Sequence, residues 1–252
     1  MIEILKEYYV DILRGVGYTM LVALIGTVVG LFIGILIGIY RTIPTPKNKA
    51  ARIFKKIGDV ILSAYVEIFR GTPMMVQAMV IFWGVALLNN GRTMDVTVSG
   101  LIIVSINTGA YMAEIVRGGI ISIDKGQFEG AHAIGMNHGQ TMLHVVMPQA
   151  LRNILPSVSN EFIINIKDTS VLNVIGFTEL FFVAKDIVKQ TYKTFQTYFL
   201  VAIVYFILTF GISLLLRLIE RKMDGNKNYK VLGSQNMDAE SFAKQVEASN
   251  EK

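Results

Sequence analysis

The sequence predicts an all-α membrane protein, a polytopic bundle of five transmembrane helices. Only 17% of the 252 residues are charged and 52% are hydrophobic, whereas a soluble domain carries about 25% charged residues. The mean hydropathy of +0.50 agrees with a membrane protein. Two stretches, 16–40 and 194–216, contain no charged residue, and each exceeds the roughly 20 apolar residues that one transmembrane helix needs.

Three further apolar stretches carry a few charges each and complete the predicted set of spans. They are residues 60–88, 96–121 and 153–177. The charged residues inside them are Glu67, Arg70, Glu114, Arg117, Glu161, Lys167 and Asp168. Because an ionisable side chain inside a membrane is costly, each of them indicates a functional site by default.

Lysine and arginine residues predict the orientation of the bundle. Residues 41–56, which follow the first span, contain six of them and no acidic residue, whereas only Lys6 and Arg14 precede that span. Cytoplasmic loops of membrane proteins carry an excess of lysine and arginine. We therefore expect the N-terminus outside the cell, and residues 41–56, residues 122–152 and the C-terminus in the cytoplasm.

Both ends of the chain are expected to lie outside the transmembrane domain, which covers residues 16–222. Residues 1–15 place apolar side chains near one helical face, which is typical of a short helix at the membrane interface. Residues 223–252 are polar and have little to bury. We expect this cytoplasmic tail to be mostly disordered.

The predicted cytoplasmic loop, 122–150, contains all three histidines of the chain, His132, His138 and His144. Residues six apart on a helix differ by about 600° of rotation, so these histidines face different sides. Zinc sites favour closer histidine pairs with carboxylate or thiolate ligands. Since the chain also has no cysteine, the sequence predicts neither a metal site nor a disulfide.

The same loop has the composition of two short helices that lie along the membrane face. Asp124, Gln127 and Glu129 suit a first helical turn, where the helix dipole favours negative charge. Gly135 and Gly139 allow a tight turn. The expected apolar ridge consists of Ala131, Ile134, Met136, Met142 and Val146. A ridge with a polar rim fits the groove of a partner protein; a purely structural loop is the alternative.

Within this loop, the stretch EGA at 129–131 is followed at fixed spacing by Gly135, by Val145 and by Met-Pro at 147–148. The pattern resembles the EAA loop of ABC importer permeases, with conservative departures at three positions. One departure puts glycine for alanine in a helix, at a cost of about 1 kcal/mol. The residues expected to couple to a partner are Glu129, Gly130, Ala131, Gly135, Met136, Gly139 and Pro148.

Other stretches are similar to the polar amino acid subfamily of these permeases. They are EIFRGTP at 67–73 with Gln77, AYMAEIVRGG at 110–119, Gly126-Gln127, PQA at 148–150 and KDTS at 167–170. The resemblance covers most of the chain and implies the transmembrane domain of a type I ABC importer. It implies a permease subunit for polar or charged amino acids of the histidine, glutamine, glutamate, arginine and cystine group.

The resemblance also implies an assembly in the bacterial plasma membrane. Such permeases pair with a second permease subunit, the same chain or a related one. They work with two ATPase subunits and an extracytoplasmic substrate-binding protein. Because the chain has no GxxxxGK[ST] phosphate-binding loop, we do not expect an enzyme, and ATP and Mg²⁺ belong to the partner ATPase. No basic cluster is interleaved with aromatic residues, so nucleic-acid binding is not expected either.

Polar residues at one depth predict a site for the transported amino acid. At about 1.5 Å of rise per residue, Arg70, Asn107, Lys167 and Asp168 all lie roughly 15–17 Å inside the membrane. Arg70 or Lys167 suits the substrate carboxylate, and Asp168 or Glu67 suits its ammonium group. Additional hydroxyl contacts are expected from Thr72, Thr169 and Ser170.

Two alternatives to this site stay open. The charged residues could pair with one another, Arg70 with Glu67 and Lys167 with Asp168, and only hold the bundle together. An ion-coupled secondary transporter could instead use Asp168 or Glu67 as its coupling site. An inverted repeat would support that transporter, and the sequence shows none by eye. Gly71 and Pro73 are expected to break the helix beside Arg70.

Overall fold

The computed structural model describes residues 1–223, and within that range the regular secondary structure is helical. The helices are α1 (Ile2–Thr42), α2 (Lys49–Gly71), α3 (Met74–Leu88), α4 (Val96–Ile121), α5 (Lys125–Ala133), α6 (His138–Thr141), α7 (Met147–Asp168), α8 (Leu180–Thr191) and α9 (Thr194–Met223). A π-helical turn, Met142–Val146, precedes α7, and a 3-10 segment, Thr169–Ile175, follows it. The predicted disordered tail lies outside the described residues from position 224 onward.

Three of these helices are long and apolar enough to cross a membrane by themselves, namely α1, α4 and α9. The pair α2 and α3 counts as a fourth candidate if it forms one broken span, because the two helices meet at an angle of 115°. Helix α7, which carries several charged side chains, is not among them. The predicted number of five spans is therefore not confirmed by helix length and composition.

Helix α1 joins two segments that the sequence predicts to be separate. The expected interfacial helix, 1–15, is helical apart from a kink at Tyr8, and its residues after the kink continue directly into the first span. A local distortion occurs at Tyr8, where φ is −112° and ψ is 15°. Because the run from Ile2 to Thr42 contains no proline, nothing in it forces the helix to end.

A stripe of glycines on α1 allows α4 to pack closely against it. The glycines, spaced one turn apart, are Gly26, Gly30, Gly34 and Gly38. They face Val104, Thr108, Met112 and Val116, which have the same spacing on α4. A Cβ atom on Gly34 would lie 2.4 Å from Cβ of Met112 and 2.6 Å from its backbone carbonyl carbon. Helices in membranes commonly use such small-residue stripes to bring their backbones together.

The helix break between α2 and α3 confirms the prediction made from Gly71 and Pro73. The backbone is extended at Thr72 and at Pro73, and proline is unable to donate a backbone hydrogen bond. The side chain of Gln77 closes the bend by donating to the carbonyl oxygens of Phe69 and Thr72, both at 2.9 Å. The break is thus a well-ordered corner between the two helices, in which the carbonyl groups of Phe69 and Thr72 have a hydrogen-bond donor.

The N-terminal part of α1 packs against α8 and α9 at the end of the bundle opposite the α5–α6 loop. Ile4 and Ile12 are buried in a cluster with Leu180, Ala184 and Ile187. This cluster packs together the end of the molecule that we predict to lie outside the cell.

Candidate functional site

Residues 122–150 fold into two short helices joined by a tight turn, as the sequence predicts. Asp124 caps α5 by accepting a hydrogen bond from the backbone N–H of Gly126 at 2.7 Å. Helix α5 ends in a Schellman motif: Gly135 donates to the carbonyl of His132, and Met136 donates to that of Ala131. Gly135 has a φ of +85°, a conformation that favours glycine.

Helix α6 starts from a capping box and differs from the prediction at one glycine. Asn137 accepts from the backbone of Gln140, and the Gln140 side chain accepts from the backbone of Asn137, both at 2.9 Å. Gly139 lies within this helix and has no positive φ. The tight turn therefore depends on Gly135 alone, because it occurs before the helix that contains Gly139.

Pro148 explains the π-helical turn that joins the loop to α7. Proline donates no backbone hydrogen bond, and its ring clashes with the carbonyl four residues earlier. The helix is therefore wider at this turn, and the N–H of Met147 donates to the carbonyl oxygen of Met142, five residues earlier. Gln149 then donates to the carbonyl of Val145 at 2.7 Å and to the side chain of Gln127 at 3.2 Å. The loop is thereby tied to the first turn of α7.

The predicted apolar ridge of the loop does not form a single surface. Ala131, Met142 and Val146 are buried, and the last two belong to a cluster with residues of α4 and α7. Ile134 is 80% exposed, since it follows the end of α5 and turns away from the bundle. The buried residues attach the loop to the transmembrane helices, and a different set of side chains faces outward.

The outward face of the loop combines one acidic and two apolar side chains. Glu129 is exposed and makes no hydrogen bond or ion pair with any described residue. It lies in the second turn of α5, because the helix starts after Asp124. Leu143, which follows Ile134 in the chain, is also exposed, at 67%. Exposed apolar side chains that form a contiguous patch mark a binding site, whereas scattered ones are common on protein surfaces.

The three histidines of the loop are placed separately. His132 and His144 are exposed and His138 is half-buried. Nδ1 of His144 lies 3.1 Å from the carbonyl oxygen of Gln140 on the preceding helical turn. Within residues 1–223, no group of three possible metal ligands comes together.

At mid-depth, the structure brings the corner of α2 and α3 against α4. Asn107 is buried and donates to the side chain of Gln77 at 2.8 Å and to the carbonyl of Phe69 at 3.4 Å. The guanidinium of Arg70 lies over the ring of Tyr111, 5.7 Å from its centre, a distance at which a cation is attracted to an aromatic face. Arg70 and Asn107 are therefore neighbours, as their predicted common depth requires.

A second buried network links three helices at the next position along α4. Asn165 of α7 donates to the hydroxyl of Thr27 on α1 at 2.8 Å and accepts from the hydroxyl of Thr108 on α4 at 3.1 Å. All three side chains are buried. Because Thr108 follows Asn107 in the chain, this network places Asn165 of α7 at the level of the corner. Lys167 and Asp168 come shortly after Asn165 in the sequence.

Three of the predicted substrate-binding residues have their polar groups engaged within the chain. The hydroxyl of Thr72 donates to the carbonyl of Ile68 at 2.7 Å. Thr169 is fully buried and donates to the carbonyl of Ile166 at 3.0 Å. Asn107 belongs to the corner described above. These hydrogen bonds help to hold the framework of the bundle, and the three residues stay predicted members of the substrate site.

The charged candidates are placed differently. Glu67, Arg70, Lys167 and Asp168 are exposed, and Ser170 is half-buried. The ion pairs found among residues 1–223 involve none of these groups. The alternative in which these charges pair with each other or with neighbouring spans is thus supported by no ion pair among residues 1–223, although Arg70 contacts Tyr111 of the neighbouring α4. They remain available to a ligand, to water or to a neighbouring subunit.

An ion-pair cluster at the cytoplasmic end of α4 was missed by the sequence argument. Glu114 pairs with Arg41 of α1, and it accepts from Nη2 of Arg117 at 2.8 Å. The Arg41 side chain also donates to the hydroxyl of Ser63 on α2 at 3.4 Å. The cluster ties three helices together beside the loop. Its only signal in the sequence is the position of Arg41 immediately after an uncharged span.

The buried network of Thr27, Thr108 and Asn165 was also missed. Isolated threonines and asparagines in an apolar span are a possible signal, since a polar side chain in a membrane needs a partner. The sequence does not say which side chains meet, however, because Thr27 and Asn165 are 138 residues apart.

Comparisons with known proteins agree with this geometry. Residues 30–225 match the model of a family described as binding-protein-dependent transport system inner membrane component. The chain is 37% identical over 167 residues to the glutamine transport system permease protein GlnP of Escherichia coli (strain K12), covering 66% of this chain and 76% of that protein. It is 41% identical over 165 residues to the L-cystine transport system permease protein TcyB of Bacillus subtilis (strain 168), covering 65% and 70%.

A solved structure, described as an amino acid ABC transporter with histidines, has the same fold. It superposes with a TM-score of 0.74 at 34% identity and covers 86% of this chain and 96% of that one. The chain therefore belongs to the family of binding-protein-dependent transport system inner membrane components, the permease subunits of ABC importers.

Proposed function

We propose that this chain is the permease subunit of an ATP-driven importer of polar amino acids in the bacterial plasma membrane. The relatives named for glutamine and cystine support this substrate class. We propose that the chain works with a second permease subunit, two ATPase subunits and an extracytoplasmic binding protein that delivers the amino acid. ATP and Mg²⁺ would bind to the ATPase subunits, and this chain would convert their closure into movement of its helices.

In the proposed topology the chain crosses the membrane five times, with its N-terminus outside and its C-terminus in the cytoplasm. Helix α7 is the span that composition does not identify. The predicted span, 153–177, consists of the last part of α7, which extends about 24 Å from residue 153, and the 3-10 segment Thr169–Ile175, which adds about 14 Å; together they have the length of a hydrocarbon core of about 30 Å. Its Lys167 and Asp168 then face a water-filled path or a neighbouring subunit rather than lipid. The lysines and arginines of 41–56 support the orientation.

The observation that carries the proposal is the exposed surface of the loop, which includes Glu129, Ile134 and Leu143. Its apolar groups have no cover in the described chain, and its carboxylate has no partner. A groove on an ATPase subunit that accepts a short helix would bury the apolar groups and pair the carboxylate. The buried side of the same loop packs on α4 and α7. A movement of the loop would therefore be transmitted to both α4 and α7.

We place the substrate at mid-depth, beside Arg70, Glu67, Lys167 and Asp168. These groups carry both signs of charge, as the recognition of a carboxylate and an ammonium group requires. They lie next to a helix break, which is how several transporters build a site at the centre of the membrane. Ser170 supplies a further polar group.

The test is uptake by the reconstituted complex. The chain would be co-expressed with its ATPase and binding protein, placed in proteoliposomes, and offered labelled glutamine, glutamate, histidine, arginine and cystine. We expect uptake only with ATP inside and the binding protein outside, and none when the ATPase carries a disabled phosphate-binding loop. Uptake that persists on a sodium or proton gradient without ATP would overturn the proposal in favour of an ion-coupled secondary transporter.

A further inference from the structure

A cavity of about 360 Å³ opens where α1 and α4 end and α5 begins. This volume lies within the range of roughly 300–1,000 Å³ that is typical of ligand pockets. The cations on its wall are Arg41, Arg117 and Lys125. Its remaining lining is almost entirely apolar and includes Ile121 and Phe128.

The charges around this cavity do not balance. Glu114 is the acidic partner of both Arg41 and Arg117, so one carboxylate serves two guanidinium groups. Lys125 is exposed and has no hydrogen bond or ion pair with any residue of 1–223. Three cations and one anion leave an excess of two positive charges at the cavity. A ligand that complements this wall carries negative charge.

The other wall of the cavity complements hydrocarbon. Ile120, Ile123 and Met142 are buried and form its floor. Ile121 lines the edge and is 62% exposed at the last residue of α4, so the apolar wall continues onto the outer surface of the helix. A free inorganic anion would gain nothing from these side chains, whereas an amphiphile would cover them.

We propose that this cavity binds an anionic phospholipid, with its phosphodiester group among the arginines and Lys125 and its acyl chains along Ile121 and Phe128. Basic pockets between helices at the cytoplasmic side of a membrane take such headgroups. The cavity includes Phe128 of α5 and Met142 of the π-helical turn. The bound lipid therefore braces the loop that we propose as the ATPase docking site, and membrane charge regulates how firmly that loop is held.

Native mass spectrometry of the full chain in detergent tests this inference without any transport assay. Dioleoyl phosphatidylglycerol and dioleoyl phosphatidylcholine would be titrated separately, with the short-chain dihexanoyl phosphatidylglycerol and inorganic phosphate as further probes. We expect dioleoyl phosphatidylglycerol to be retained and the other three to be lost at the same concentration. Lys125→Gln should weaken retention about fivefold, the contribution of one cation near an anionic headgroup.

The matched control is Lys47→Gln, which removes the same charge from an exposed position in the loop after α1 and away from the cavity. It should retain the lipid as the parent does. Equal retention by Lys125→Gln and the parent, or equal retention of the phosphatidylcholine, would overturn the proposed site. Displacement of the lipid by inorganic phosphate at equal concentration would overturn the lipid as its occupant. Neither result bears on whether the complex imports amino acids, so the proposed function is tested separately.

Discussion

Asn165 in the bundle and Glu129 in the cytoplasmic loop are both polar side chains on helices, but their surroundings are opposite. Asn165 is buried and uses its amide to join α1 and α4, whereas Glu129 is exposed and contacts no partner among the described residues. Arg70 and Asp168 resemble Glu129, because they too are exposed and lack an ion pair among the described residues.

This difference separates polar side chains that stabilise the fold from polar side chains that are available for binding. A polar group that the chain satisfies by itself contributes to folding, and leaving its partner unpaired costs stability. Substituting a polar group that has no partner within the chain has little effect on stability. The binding of a substrate or a partner subunit, however, depends on that group. Substitutions of the first kind should lower the melting temperature, and substitutions of the second kind should lower transport at an unchanged melting temperature.

The largest expected effect is on the framework, at the glycine stripe. Gly34→Ala would place a Cβ atom 2.6 Å from the backbone of Met112. Because the backbone of α4 is unable to move as a flexible side chain does, we expect a loss near the upper end of the roughly 1–3 kcal/mol typical of overpacking. Gly17→Ala on the same helix is the control, since a Cβ there meets nothing within 4 Å. Equal melting temperatures of the two variants in detergent would contradict the close packing.

The second expected effect is on transport, at Arg70. Arg70→Ala should weaken substrate uptake roughly 10- to 100-fold, the contribution of a hydrogen bond to a charged group, while the melting temperature stays within error. Arg92→Ala removes the same side chain from an exposed loop between α3 and α4 and should leave uptake unchanged. An unchanged KM and unchanged selectivity for every tested amino acid in Arg70→Ala would show that the substrate site lies elsewhere.

The third effect is a smaller loss of stability at the buried network. Asn165→Ala removes both hydrogen bonds to Thr27 and Thr108. We expect it to cost about 1–2 kcal/mol of stability, because hydrogen bonds within membranes are worth modest amounts. Asn160→Ala, at an exposed position on the same helix with no side-chain hydrogen bond to a described residue, serves as the control. If the amount of uptake per folded molecule fell in Asn165→Ala, the network would belong to function as well.

The fourth effect concerns the turn of the loop. Gly135→Ala forces a side chain into a φ of +85°, which costs about 1–2 kcal/mol and should distort the docking surface. We expect reduced ATPase stimulation by the loaded binding protein, together with a melting temperature below that of the parent. Gly139→Ala should behave like the parent, because its Cβ meets only Oδ1 of Asn137 at 3.5 Å.

Much of the local structure could be predicted from the sequence, because the residues that determine it are adjacent in the chain. The break at Gly71 and Pro73 and the turn at Gly135 follow from the backbone preferences of these residues. Contacts between distant helices could not be predicted in this way. The direction in which Ile134 turns depends on where α5 ends, so the expected ridge was divided between two faces.

The same reason explains why the sequence does not predict which of the proposed substrate-binding side chains are open. Helical rise predicts a common depth for Arg70 and Asn107, but rise carries no information on the rotation of each helix. That rotation turns Asn107 and Thr169 into the bundle and leaves Lys167 and Asp168 outside it. Among the predicted substrate-binding residues, the four charged side chains are exposed and unpaired, whereas three of the four neutral ones form hydrogen bonds within the bundle.

The central claim is that the open groups of the loop transmit the action of the ATPase, and Glu129 tests it most directly. ATP hydrolysis and amino acid uptake would be measured side by side in proteoliposomes containing the complete complex with Glu129→Gln. The account predicts an unchanged melting temperature and several-fold less uptake for each ATP hydrolysed than in the parent complex. An uptake-to-hydrolysis ratio equal to that of the parent would contradict it.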